Sequence, residues 1–198
     1  MDRKPAVGFP RAVTTVEHPE NLYRGRGPVI AMDVLGVQEV LPSDTPVVLL
    51  RESNGERMLP IFIGLTEAKA IGFAMAGQDP PRPMTHDLMA TLLETFSVSV
   101  EQVVVTELRE RTFFAEVTLR GPVGIEVVSA RPSDAIALAV RTGAKVFVEE
   151  EVIQEAGFVP PPNDGELVTE SSQAPEAEAQ VEEFRAFLDS IDPEDFQS

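Results

Sequence analysis

The sequence has no cysteine and no tryptophan, and its one tyrosine is Tyr23. Without cysteine there is no disulfide, no thiolate to ligate zinc and no thiol nucleophile, and nothing marks an oxidising compartment. Several of the phenylalanines read as core residues, so few rings are left on which nucleic-acid bases can stack. Nowhere do eighteen apolar residues run together, and Met1 to Pro19 is interspersed with charge and has no hydrophobic leader segment. The chain therefore reads as cytoplasmic, with no membrane partner.

Positive charge is scarce. The net charge is −17, distributed as +2 over residues 1–27, −9 over residues 28–157 and −10 over residues 158–198. Even the central segment is acidic, which opposes a broad electrostatic grip on phosphates and restricts any nucleic-acid contact to local sites.

A length of 198 residues fits one domain with appendages. Residues 1–27 lack sustained periodicity and read as a flexible arm. Val29–Val40 and Val47–Arg51 read as strands separated by Pro42-Ser43-Asp44. The Asn54-Gly55 pair predicts a type I′ hairpin that returns Arg57–Ile63 antiparallel. A first helix is expected over Thr66–Ala76, with Thr66 as N-cap and Gly77 just past its end. A second is expected from Thr85, with Met89, Leu92, Leu93 and Phe96 as its apolar stripe. Three strands, Val98–Leu108, Thr112–Arg120 and Gly124–Ser129, read as a meander. A third helix, Ser133–Thr142, is apolar all round in its interior and so should be buried. Val146–Val148 closes the series, followed by a last helical turn over Val152–Ala156. The class is α/β in the α+β sense: a single compact domain over 28–157, a mostly antiparallel sheet and about three helices.

Beyond Gly157 come three prolines and a Ser/Glu/Ala/Gln-rich stretch that cannot bury enough surface to offset its ordering entropy, so 158–198 reads as an acidic, largely disordered tail. Its end, Val181–Phe196, regains Phe184, Phe187, Leu188 and Ile191 at helical spacing. An amphipathic helix of that kind docks either on a partner or back on the core.

Two junctions share one chemistry: Arg82-Pro83-Met84-Thr85-His86-Asp87 and Arg131-Pro132-Ser133-Asp134. Each puts an Arg before a Pro, then a hydroxyl residue, then an Asp in a first helical turn. A residue before Pro is extended, so each Arg should lie just outside a helix N-terminus, beside free N–H groups. An Arg fork next to such an end suits an anion, with Thr85 and Ser133 as substrate-binding hydroxyls. The same residues equally suit ordinary caps and structural ion pairs. His86, the domain's one histidine, is either a hydrogen-bonded core residue or a general acid or base beside Asp87. Glu67 and Asp87, with Asp134, offer oxygen ligands for Mg²⁺ or Mn²⁺ if they converge. No Walker loop, Rossmann glycine fingerprint, Gly-x-Ser-x-Gly elbow or HExxH is present.

Four blocks, in order, carry a family resemblance: Leu59-Pro60-Ile61-Phe62-Ile63-Gly64; Glu67-Ala68 with Ala70-Ile71; Arg82 to Leu88; and Ala130 to Ala139. Together they resemble the bifunctional nuclease domain family over about Ile30–Gly157. The ending Phe184-Arg185-Ala186-Phe187-Leu188, with Pro193 to Phe196, is similar to the tails of stand-alone bacterial, particularly actinobacterial, members. The resemblance implies a compact α/β fold that self-associates, most simply as a dimer, and hydrolysis of DNA and RNA. The motif positions it carries over are His86, Asp87, Arg82, Arg131 and Asp134. Many members have Asp where this chain has Ser129. The alternative to a nuclease is a non-catalytic oligomeric binding or regulatory module whose Arg and Asp groups form a structural network.

Overall fold

Val, Ile and Leu recur through the segments expected as strands, and the sheet is built from them. The structure is a computed structural model that describes residues 13–16, 27–40, 45–78 and 80–160. In chain order the elements are β1 (Val13–Val16), β2 (Val29–Val40), β3 (Thr45–Glu52), β4 (Met58–Phe62), α1 (Leu65–Met75), α2 (Thr85–Thr95), β5 (Ser99–Arg109), β6 (Thr112–Gly121), β7 (Gly124–Ala130), α3 (Pro132–Thr142), β8 (Lys145–Glu149) and α4 (Glu150–Ala156). The eight strands form one sheet in the order β1-β7-β6-β5-β8-β2-β3-β4. Every neighbouring pair is antiparallel except β5 and β8, which run parallel from Gln102↔Lys145 to Val105↔Val148. A parallel pair needs a crossover, and α3, between β7 and β8 in the chain, is part of it.

Val103, Val104 and Val105 are buried in succession on β5. Side chains alternate between the two faces of a strand, so the sheet is covered on both sides at its centre. The main core gathers Leu50, Leu59, Ile61, Ile71, Val103, Val105, Ile136, Val148 and Ile153. As its all-round apolar composition requires, α3 is the most buried helix, with Pro132, Ser133 and Ala135 to Ala139 inside. None of the buried core side chains among the described residues is a phenylalanine. Phe73 and Phe96 are instead exposed, because they lie on faces of α1 and α2 that no described element covers.

Several local expectations are corrected. The last helical turn, α4, begins at Glu150 and not Val152; Glu150 and Glu151 fall in its first turn, where acids suit the helix dipole. The helix N-caps are Gly64, Met84 and Arg131, so Thr66, Thr85 and Ser133 are first-turn residues. Pro132 accounts for the last shift: it occupies the first helical position, where its missing N–H costs nothing, and pushes the N-cap back to Arg131. The β3–β4 hairpin forms as expected, pairing Arg51 with Met58, yet Gly55 is not at positive φ and the connection is longer than a two-residue turn. Positive φ at two consecutive residues occurs instead at Glu110 (50°) and Arg111 (63°), between the paired Arg109 and Thr112. That is the type I′ signature, imposed by the tight register of β5 on β6 without help from Asn or Gly.

Val13–Val16, inside the expected arm, forms β1 through antiparallel pairing with Ile125–Val128 of β7. Too short to announce itself by periodicity, it is defined by the strand edge it completes. At the other end, Phe158 exchanges backbone hydrogen bonds with Met58 (2.7 and 2.9 Å), so the ordered body passes the expected boundary at Gly157. The turn at 42–44, the tail from residue 161 and the helix expected over 181–196 lie outside the described residues, as does most of the arm.

Candidate functional site

Pro132 fixes where α3 starts, and that start positions three polar groups. Arg131, the N-cap, has extended backbone (φ −69°, ψ 143°), so its side chain stands clear of the helix end. Asp134, in the first turn, receives the fork of Arg131: Nε donates to Oδ2 at 2.7 Å and Nη2 to Oδ1 at 3.0 Å. Nη2 also donates to Glu67 Oε1 of α1 at 2.8 Å. His86 Nε2 of α2 lies 3.0 Å from Asp134 Oδ1. One connected chain, Glu67–Arg131–Asp134–His86, thus joins the starts of α1, α3 and α2.

Burial grades along this chain. The His86 side chain is 9% exposed, that of Asp134 28% and that of Arg131 66%. The hydrogen bond from His86 is the largest cause and, with those from Arg131, overcomes the opposing effect of burial to hold the Asp134 carboxyl at about 2. Hydrogen bonding to Asp134, then to Glu67, raises the already high pKa of Arg131. An ionised carboxylate only accepts, so His86 presents Nε2–H to Asp134.

Asp87 lies one residue from His86 and faces a different partner. Its Oδ2 accepts from the Met84 N–H at 2.7 Å, one half of a capping box, and its Oδ1 accepts from Arg141 Nε. Arg141 also donates to the carbonyls of Ala137 (2.8 Å) and Ala70 (2.9 Å), so one guanidinium at the end of α3 ties α1 and α2 to it. Arg141 chiefly, with the Met84 N–H, holds the Asp87 carboxyl below the usual carboxylate range.

The polar chain borders a groove of about 810 Å³. Thr66, Glu67, Thr85, His86, Arg131 and Asp134 contribute its polar side, with the exposed Ser129; Met89, Leu92, Leu93 and Phe96 of α2 form an apolar wall, and Val117, Leu119 and Val128 of the sheet line the groove as well. Of the residues expected at a site, the structure brings together His86, Asp134, Arg131, Glu67 and Thr85. Ser133 is buried and does not border the groove, Asp87 is engaged behind it, and Arg82 is exposed outside it, with no hydrogen bond or ion pair among the described residues. Glu67 and Asp87 are each held by a different arginine, and among the described residues no three His, Asp or Glu groups converge as metal ligands. These positions do not fit a preformed Mg²⁺ or Mn²⁺ centre.

Sequence reasoning missed Arg141. Its one signal was a cation after the apolar run Ala135–Val140, which suits any helix C-terminus and says nothing of a partner 54 residues away.

A family model described as the bifunctional nuclease domain matches residues 48–161, more than half of the chain. The chain belongs to the bifunctional nuclease domain family. The match runs from within β3 to just past α4 and contains every residue of the groove. Two relatives from Mycobacterium tuberculosis, "Uncharacterized protein Rv1829" of strain H37Rv and "Uncharacterized protein MT1877" of strain CDC 1551, are each 42% identical over 165 residues, covering 83% of this chain and 96% of theirs. This bifunctional nuclease domain carries its polar groups at the meeting point of three helix starts, beside an apolar groove that no other described element fills. Among the described residues no helix is long and apolar enough to cross a membrane.

Proposed function

We propose that this protein hydrolyses phosphodiester bonds of nucleic acid at the polar side of the groove. The observation that carries the reading is the His86–Asp134–Arg131 chain, an oriented imidazole next to a two-thirds exposed guanidinium. In this reading Asp134 fixes the imidazole so that Nδ1 takes a proton from the attacking water or hydroxyl. Arg131 has no partner for Nη1 among the described residues and directs it at the charge that builds on the phosphate oxygens. The exposed ring of Phe96 on the same groove supports a stacked base, which favours single strands over duplex.

A second reading is favoured by one observation: Glu67 and Asp134 already neutralise Arg131, as in a polar network that ties helices together. In that case the protein is a non-catalytic binding or regulatory module. The deciding experiment assays purified protein on single-stranded DNA and RNA with Mg²⁺, with Mn²⁺ and with chelator, beside folded His86→Ala and Arg131→Ala variants. Loss of activity in both variants supports hydrolysis here; equal activity in all proteins marks a contaminant, and no activity in any condition selects the binding module.

A further inference from the structure

The apolar wall of the groove has no partner among the described residues. Phe96 is 69% exposed, Leu92 47% and Met89 39%, although they fall on the stripe that an amphipathic helix normally buries. The sheet residues Val117, Leu119 and Val128 line the same groove, whose volume is about 810 Å³.

The same chain supplies an occupant. Phe184, Phe187, Leu188 and Ile191 repeat the i, i+3, i+4, i+7 spacing of Met89, Leu92, Leu93 and Phe96, with Glu182, Glu183, Asp189 and Asp192 beside them in the sequence. We propose that residues 181–196 seat as a helix in this groove, apolar stripe inward, against α2 and the β6–β7 face.

Reach permits it within one molecule. The described chain ends at Pro160, beside Phe158, which pairs with Met58 of β4 at one edge of the sheet. The groove lies at β6 and β7, five to six strands away, or roughly 25–30 Å at the usual strand spacing. Residues 161–180 span about 25 Å as a flexible coil and up to about 66 Å when extended. Tethering at that length sets an effective concentration on the order of millimolar, which makes a modest helix–groove affinity sufficient. The tail, residues 158–198, carries a net charge of −10, and the exposed Arg131 borders the groove.

The absence of native cysteine provides a clean test. A nitroxide is placed at Ser190→Cys of the full-length, nitrogen-15-labelled protein. Loss of amide signals at residues 88–98 and 117–119, unchanged on dilution and abolished by Phe187→Glu with Leu188→Glu, is the expected result. Mixing spin-labelled, unenriched chains with enriched, unlabelled ones separates the routes: signal loss in that sample that fades on dilution means a second copy is the occupant. That outcome, or unperturbed groove amides in the full-length chain, overturns the proposal.

Discussion

Arg141, in the last turn of α3, donates its Nε to Asp87 in the first turn of α2, and this pair sets where the neighbouring His86 meets Asp134. The Arg141 side chain is 8% exposed and also satisfies two carbonyls, so its removal uncovers a carboxylate and two backbone acceptors at once. Arg141→Ala should destabilise the protein by about 3 kcal/mol, the range for breaking one side of a buried pair. Arg141→Lys should recover only part of it, because an ammonium cannot reproduce the planar fork. Denaturant unfolding measures both; a loss below about 1 kcal/mol for the Ala variant would mean that the pair is not a structural tie.

Removing the groove's cation tests the chemistry. If Arg131 stabilises charge on the phosphate, Arg131→Ala lowers the hydrolytic rate on the order of a hundredfold, the scale of losing one preorganised donor. Arg82→Ala, outside the groove, should leave the rate nearly unchanged. The reverse order, with Arg82 essential and Arg131 dispensable, would move the site to the other junction.

Asp134 predicts a pH dependence of stability. Its folded pKa, about 2, lies below the ordinary 3.8, so the stability it contributes is fully present above about pH 4 and is lost as pH falls towards 2. Asp134→Asn should therefore flatten the acid limb between pH 4 and pH 2, and thermal melts across that window read it. Asp87 is shifted in the same direction and adds to the limb that remains.

Glu110 and Arg111 hold positive φ without the residues that tolerate it best. Replacing the pair by Asn-Gly relieves that conformation and should stabilise the protein by about 1 kcal/mol. An unchanged or lower melting temperature would show that the Arg111 side chain contributes more than its backbone costs.

Much of this molecule was legible in its residues. The strands β2 to β8 follow from β-branched runs and turn residues, and burial of α3 follows from a helix with no polar face in its interior. The Arg-Pro junctions place Arg131 at a helix start, because proline restricts its neighbour's backbone regardless of context. What the residues could not supply was partnership. Two junctions of matching composition diverge: Arg131 bonds Asp134 and Glu67, whereas Asp87 turns to Arg141 and Arg82 remains solvated. The type I′ turn fell at Glu110-Arg111 and not at Asn54-Gly55, since strand register outweighs a local preference of about 1 kcal/mol. Sequence by itself determined the elements, through short-range sterics and periodicity. Only the tertiary structure decided which charges meet and which apolar face the described elements leave uncovered, because those depend on contacts between residues tens of positions apart.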